Sequence, residues 1–286
     1  MRLEALEVRF EVCCAGSGAS QLAQAVSAAW DLCAVETAYD EADGDVRRLK
    51  LLLEDDPDRL AESAANSSLF AHDLPTLMDR LSPMVTRVAV TERRQDLVMF
   101  HACAVADPET GDAVVLYGPS GTGKTTMART LCTDFVYLSD ETAGVTDDLR
   151  IVPYLKPLSI IVNPGDDLKE QVSPGRLGLV RPTAMTYRLK ALVQLRRDPA
   201  HRGPGELERL TTVDALPELV AQTSYTRELK RPLHHLAGLA HRVGGVQRAT
   251  YAEAEQLRPV VRALLDAQRQ DGGGARDPGP RQEVGS

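Results

Sequence analysis

A glycine-rich segment in the middle of the chain has the residue types and spacing of a phosphate-binding loop. Residues 118–125 read Gly-Pro-Ser-Gly-Thr-Gly-Lys-Thr and fit G-x-x-x-x-G-K-[ST]. Glycines allow backbone N–H groups to converge on phosphate oxygens, Lys124 would neutralise the β- and γ-phosphates, and the Thr125 hydroxyl would ligate Mg²⁺. A chance glycine turn is the alternative, but the segment lies between an apolar run and a predicted helix, where phosphate binding needs it. We therefore predict a nucleotide site formed by Gly118, Pro119, Ser120, Gly121, Thr122, Gly123, Lys124, Thr125 and Thr126.

Two adjacent carboxylates, Asp140 and Glu141, follow the next apolar run along the chain, residues 135–138. Ligands of open α/β sheets bind at the carboxyl ends of the strands. If this strand runs beside the one that precedes the loop, both acids face the phosphates. A carboxylate there can hold Mg²⁺ or accept the proton of an attacking hydroxyl. The alternative is a pair of solvated acids that open a turn.

Apolar patterns predict the elements that must position these groups. Residues 97–106 form a nearly continuous apolar run, as in a strand buried on both faces, and His101 lies within it. Taken alone, that histidine is more typical of a packed core. Further strands are predicted at 8–14, 49–53, 113–117, 135–138 and 191–195, and helices at 125–131, 213–221, 227–243 and 252–268. Asp73 is predicted to cap another helix, in which Pro83 would form a kink.

The chain divides into three parts by composition. The sequence pattern predicts a small α+β unit at residues 1–85 and an α/β domain that carries the loop at residues 86–268. Residues 269–286 contain Gly272-Gly273-Gly274 and Pro278-Gly279-Pro280 and offer no apolar anchors. We expect this last part to be a disordered tail.

Length and charge limit the classes of protein to which the chain can belong. It has 286 residues, of which 43% are hydrophobic, enough to bury a substantial core. Its 33 Lys+Arg against 41 Asp+Glu give a net charge of −8, which argues against general nucleic-acid binding. No window approaches the ~18 apolar residues of a membrane span, and the first residues do not form a signal peptide. These features predict a cytoplasmic protein without a membrane partner.

The order of the motifs resembles the HPr serine kinase/phosphorylase family. The segments that carry the resemblance are Phe100-His101-Ala102, the loop, Leu138-Ser139-Asp140-Glu141-Thr142 and Lys156-Pro157-Leu158-Ser159. The chain looks similar to the shorter HPr-kinase-related branch in bacterial clusters for modified peptides, which includes kinases of lasso-peptide precursors. The resemblance covers about residues 86–265. It implies a P-loop core of the HPr kinase or phosphoenolpyruvate carboxykinase type.

The resemblance also implies a role for each site residue. In the family the loop lysine and hydroxyl bind phosphates and metal, the first acid is the base toward the acceptor serine, the second assists with metal, and the histidine orients the base. By position these residues are Lys124, Thr125, Asp140, Glu141 and His101. Glu141 stands where aspartate is usual, which adds a methylene. Arg176, in a segment that echoes the family's arginine-glycine segment, would be a cation at the transferring group.

The expected function is therefore an ATP- and Mg²⁺-dependent kinase that transfers the γ-phosphoryl group to a hydroxyl. The expected acceptor is a serine of a peptide or small protein, such as a ribosomal natural-product precursor. A kinase of a small-molecule hydroxyl and a non-catalytic, nucleotide-responsive binding module are the alternatives. HPr kinases form hexamers, so a homo-oligomer is also considered.

Overall fold

The computed structural model describes residues 1–35, 45–161 and 168–271. Its first unit is a mixed four-stranded sheet in the order β1-β2-β3-β4, in which β1 and β2 are antiparallel and the other pairs are parallel. Alternation along β2 buries Val8, Phe10 and Val12, as the sequence pattern predicts. The elements are β1 (Arg2–Ala5), β2 (Val8–Ala15), α1 (Ala19–Ala29), β3 (Arg47–Leu53), α2 (Pro57–Ala64), β4 (Leu69–Ala71) and α3 (Leu74–Glu92).

Helix α3 connects the first unit to the second. Its N-cap is Asp73, whose side chain accepts a hydrogen bond of 2.8 Å from the Thr76 N–H, as predicted. Pro83 lies inside the helix without ending it. The helix runs on to Glu92, so the boundary placed between residues 85 and 86 falls within it.

The second unit contains an eight-stranded mixed sheet. Its strands follow the order β13-β14-β12-β6-β5-β8-β9, and β7 also pairs with β5. The elements are β5 (Val98–Ala106), β6 (Asp112–Tyr117), α4 (Lys124–Leu131), β7 (Val136–Ser139), β8 (Thr142–Val145), β9 (Ile151–Val152), β10 (Leu158–Ile160), β11 (Glu170–Val172), β12 (Arg188–Arg197), β13 (Glu206–Arg209), α5 (Thr212–Ala221), α6 (Pro232–Arg242), β14 (Val246–Tyr251) and α7 (Arg258–Asp271).

Helices cover both faces of this sheet. Leu219 of α5 and Leu236 of α6 pack in one apolar cluster, and Leu131 of α4 and Val261 of α7 pack in the other. Along β5, residues 102–106 enter the two clusters alternately. This explains why the run at 97–106 is apolar except for His101: the strand is buried on both sides. Among the described residues, no helix is both long enough and apolar enough to cross a bilayer.

Two helices differ from the sequence expectation. The predicted helix at 227–243 is divided into a 3-10 turn at Thr226–Glu228 and α6, because Arg231 has a positive φ of 49° and Pro232 lacks an N–H. The helix predicted from residue 252 begins as a 3-10 turn at Ala254–Leu257 and becomes α-helical at Arg258. Of the predicted tail, residues 269–271 belong to α7, and residues 272–286 lie outside the described residues.

Candidate functional site

The glycine-rich loop connects β6 to α4 in the geometry that phosphate binding requires. Gly121 and Gly123 both have a φ of +86°, in the left-handed region that glycine adopts without strain. Gly118 approaches β12 so closely that an added Cβ would lie 3.1 Å from Leu195 Cβ. The Tyr251 hydroxyl, at the end of β14, donates to the Thr122 carbonyl at 2.5 Å. The loop is thus shaped by its own glycines and fixed from outside by the sheet.

Lys124 folds back into the loop. Its Nζ donates to the carbonyl oxygens of Gly118 and Pro119 at 2.7 and 3.0 Å, and the residue is 7% exposed. Burial lowers the pKa of Lys124, against the opposing effect of the thiol of Cys103 and the carboxylate of Glu141. The ammonium therefore occupies the concavity in which phosphate oxygens would offer it stronger acceptors.

The acid pair lies near the loop, but the order of the strands that place it there differs from the one expected from the sequence. Strand β7 does not lie beside β6, because β5 separates them and pairs antiparallel with both. Strands β7 and β8 follow each other along β5, with Asp140 and Glu141 between them. Ser139 pairs with Ala104 and Thr142 with His101, so the register of this pairing is kept across the acid pair. The central strand thus places His101 beside the two acids.

Asp140 links the acid pair directly to the loop. The Thr125 hydroxyl donates to Asp140 Oδ2 at 3.0 Å, and the Tyr137 hydroxyl donates to Oδ1 at 3.0 Å. Asp140 is buried, and its neighbour Glu141 is more open, with 37% of its side chain exposed. The two acids are therefore not solvated turn residues, because one is held inside the fold and the other borders a cavity.

Lys156 is the site residue to which the sequence reasoning gave no role. Its Nζ lies 3.3 Å from Asp140 Oδ1 and 3.0 Å from Glu141 Oε2, and it donates to the Pro157 carbonyl. Burial alone would lower the pKa of Lys156, but the two carboxylates outweigh burial and raise it. Lys156 belongs to the Lys156-Pro157-Leu158-Ser159 segment, but its burial depends on packing that no local pattern reveals.

His101 is half-buried next to these charges. Burial and the nearby Lys124 ammonium lower the pKa of His101, while Glu141 and Asp140 act in the opposite direction. The imidazole is therefore favoured in its neutral form, which can donate through one nitrogen and accept through the other.

A cavity of about 450 Å³, here called the transfer cleft, brings these residues together. Loop residues, His101, the acid pair and Lys156 line it from the second unit, and Asp79, Ser82 and Pro83 of α3 line it from the first. Arg176 is not brought to the transfer cleft; it lines a neighbouring cavity with α1 and the start of α3. Of the predicted loop residues, those that line the cleft are Ser120, Gly121, Gly123, Lys124, Thr125 and Thr126.

The donor set of the cleft fits Mg²⁺. Thr125 and Asp140 are hydrogen-bonded to each other, and Glu141 adds a second carboxylate, so the site offers the oxygen ligands that Mg²⁺ prefers. In the described parts of the chain, no group of three or more His, Cys, Asp or Glu side chains could hold a metal by itself. Such a partial ligand set suits an ion that also takes substrate phosphates and water as ligands.

Comparisons with known proteins found partial similarities. No family model matches the chain. The Holliday junction branch migration complex subunit RuvB of Koribacter versatilis (strain Ellin345) is 27% identical over 192 residues, which are 64% of this chain and 48% of that protein. The chain thus spans about half the length of this curated relative.

One solved structure to which this chain shows partial similarity is the Hpr(Ser) kinase/phosphatase from Coxiella burnetii. It is 11% identical, has a TM-score of 0.32, and matches 62% of this chain and 99% of its own. The loop, with strand β6 before it and helix α4 after it, indicates a P-loop nucleotide-binding protein.

Proposed function

We propose that the protein is an ATP- and Mg²⁺-dependent kinase that transfers the γ-phosphoryl group to a hydroxyl, with a serine of a peptide or small protein as the acceptor. The observation that carries this proposal is the contact between loop and acid pair, in which the Thr125 hydroxyl donates to Asp140 at 3.0 Å. Glu141 and His101 line the same cleft. A phosphate-binding loop and carboxylates in one cleft are groups that transfer to a hydroxyl requires, and a histidine lies beside them.

Phosphoryl transfer needs neutralised charge, an aligned acceptor and a base. In the proposed reaction a bond forms between the acceptor oxygen and Pγ while the bond from Pγ to the β–γ bridging oxygen breaks. ADP leaves with that electron pair, and the proton of the acceptor hydroxyl passes to Asp140. Mg²⁺, held by Thr125 and Glu141, would offset the charge of the phosphates.

Asp140 retains the capacity to accept that proton. A carboxylate has about four lone-pair sites. The Tyr137 hydroxyl and Lys156 engage Oδ1, and the Thr125 hydroxyl engages Oδ2. One site on Oδ2 is therefore left for an acceptor hydroxyl, while the existing contacts fix the direction of the carboxylate.

His101 and Lys156 have supporting roles in this proposal. A neutral His101 can hydrogen-bond to the base or acceptor without adding a charge. Lys156 is a positioning residue, since it holds Asp140 and Glu141 at fixed places through one ammonium. Neither residue forms a covalent bond in the reaction.

Asp140→Asn tests the proposed base. The substitution preserves shape and removes the proton acceptor, so we expect transfer to fall by about 10² to 10⁴-fold, with binding of a fluorescent ATP analogue retained. Glu141→Gln is the companion variant. If Glu141 holds the metal, the transfer activity that this variant loses should be recovered in part by raising the Mg²⁺ concentration. Near-normal transfer in Asp140→Asn would contradict the base assignment.

The acceptor class is tested separately, with ATP, Mg²⁺ and peptides, free serine or sugars as acceptors and a phosphate mass shift as the readout. Transfer to peptides would support the proposal, and transfer to the small molecules alone would replace it by a small-molecule kinase. Phosphate release without transfer to any acceptor would indicate an ATPase. Nucleotide binding without turnover would indicate a binding module.

A further inference from the structure

A second cavity adjoins the transfer cleft, and its lining is mainly apolar. It measures about 770 Å³ and lies between α1, α3 and the segment that contains β11. We call it the apolar cavity. From the helices it is lined by Ala25, Ala28, Ala29, Leu74, Pro75 and Met78.

One face of α3 forms a wall of both cavities. Residues four apart on a helix lie one above the other, so Leu74, Met78 and Ser82 share a face. Leu74 and Met78 line the apolar cavity, and Ser82 lines the transfer cleft. Pro75, Asp79 and Pro83 repeat this spacing one residue further on.

Lys169 joins the cavities on the opposite side. It is the residue that both cavities share, and its backbone N–H donates to Asp79 Oδ1 at 3.3 Å. The wall of the apolar cavity therefore continues into the wall of the transfer cleft.

Two features of the walls point to a polar ligand that crosses this junction. Lys169 and Arg176 are exposed, and neither side chain forms an ion pair or hydrogen bond within the part of the chain that the structure describes. Ser82 is 1% exposed, and among the described residues its Oγ has no hydrogen-bond partner. The junction thus offers two cations and one unsatisfied hydroxyl, beside the carboxylates of Asp79 and Glu170.

We propose that the two cavities are one acceptor groove, which binds an extended peptide that carries a large apolar side chain and an acidic residue. The serine hydroxyl lies at the acid pair, the acidic residue at Lys169 and Arg176, and the apolar side chain in the apolar cavity. This inference rests on the proposed kinase function and names its substrate class.

The stretch of α3 between the two cavities sets the spacing between the apolar residue and the serine of the peptide. The rise between Leu74 and Ser82 is about 12 Å at 1.5 Å per residue. An extended peptide covers that distance with about four residues. The apolar residue is therefore placed about four positions from the phosphorylated serine, and the acidic residue between them.

A positional-scanning peptide library with one fixed serine tests the specificity. Each peptide is incubated with the full chain, ATP and Mg²⁺, and phosphate incorporation is measured by mass. We expect leucine, methionine or phenylalanine at about four residues from the serine to raise kcat/KM by about tenfold to a hundredfold over glycine at that position. Transfer without apolar selection at any position would overturn the groove but leave the kinase intact.

Ala28→Trp tests the cavity itself. Ala28 is an exposed residue of α1, so the indole should fill the apolar cavity without disturbing the core. We expect KM for the selected peptide to rise about tenfold, with kcat and ATP affinity unchanged. Ala23→Trp is the matched control, because Ala23 is exposed on the same helix and does not line the cavity. Equal effects of the two variants would contradict the proposal.

Arg176→Gln separates this proposal from a nucleotide-binding role of the same residue. If Arg176 holds the acidic residue, KM should rise for acidic peptides alone and ATP affinity should not change. If ATP affinity falls and peptide selectivity is kept, Arg176 serves the nucleotide, and the acidic part of the groove is wrong. Failure to phosphorylate any peptide, while ATP turnover still depends on Asp140, would overturn both the peptide acceptor and the groove.

Discussion

Lys156→Met removes the buried cation that joins the two acids of the cleft. The side chain of Lys156 is 1% exposed and that of Asp140 is 2% exposed, whereas the side chain of Glu141 is 37% exposed. Methionine has similar length and no charge. The substitution therefore leaves one buried carboxylate without its cation and a second one that water can solvate.

The structure sets the size of the expected effect. Loss of one partner from a buried ion pair costs about 3–5 kcal/mol. Asp140 keeps its hydrogen bonds from Thr125 and Tyr137, so we take the lower end, about 3 kcal/mol. For a chain of this size each kcal/mol shifts the melting temperature by roughly 2–4 °C, so the total shift is roughly 6–12 °C downward.

The assay is thermal and denaturant unfolding at pH 7 with a chelator, so that no divalent cation replaces the ammonium. A raised pKa means that the stability from Lys156 is fully present below 10.5, its ordinary value, and is lost only as the pH rises through the higher folded value. At pH 7 the whole contribution is therefore measured.

Lys169→Met is the matched control. Lys169 borders the same cleft but is exposed and, among the described residues, makes no ion pair, so its loss should change stability by less than about 0.5 kcal/mol. If Lys156→Met melted within about 2 °C of the wild type, the attraction within the pair would only balance its desolvation. The positioning role given to Lys156 would then lose its energetic basis.

Three further predictions concern other parts of the fold. Gly123→Ala should lower stability by about 1 kcal/mol, since its φ is +86°, whereas Gly238→Ala in α6 should raise it by a similar amount in the same unfolding assay. Tyr251→Phe, which removes the hydrogen bond to Thr122, should cost about 1 kcal/mol and weaken binding of an ATP analogue; unchanged binding would show that the loop holds its shape alone. Burial alone would raise the pKa of Glu7, but Arg150 and Arg93 outweigh burial and lower this pKa below its ordinary value of 4.5. The stability from these contacts is therefore present above pH 4.5 and is lost as the pH falls through the pKa of the folded state. Because Glu7 is more than one-third exposed, Glu7→Gln should cost at most about 1 kcal/mol at pH 7, and its denaturation midpoint should converge with that of the wild type in acid.

Much of the fold follows from local patterns. The alternation along β2, the doubly buried run of β5 and the Asp73 cap are properties of short segments, and the structure has each of them. Element ends are less predictable, because they depend on special conformations such as the positive φ of Arg231 ahead of α6. Pro83 lies inside α3, as the sequence predicts, and the helix packs against the first sheet on one side and lines two cavities.

The sequence by itself determined the strand–loop–helix arrangement of the glycine-rich loop, because the glycines, Lys124 and Thr125 are neighbours along the chain and need only a strand before them and a helix after them. Tertiary structure decided the rest of the site. Periodicity shows which face of a strand is buried but not which strand lies next to it, so the position of β5 between β6 and β7 could not be read from residue order. Likewise, a lysine is buried only when distant segments supply its counter-charges, as Asp140 and Glu141 do for Lys156.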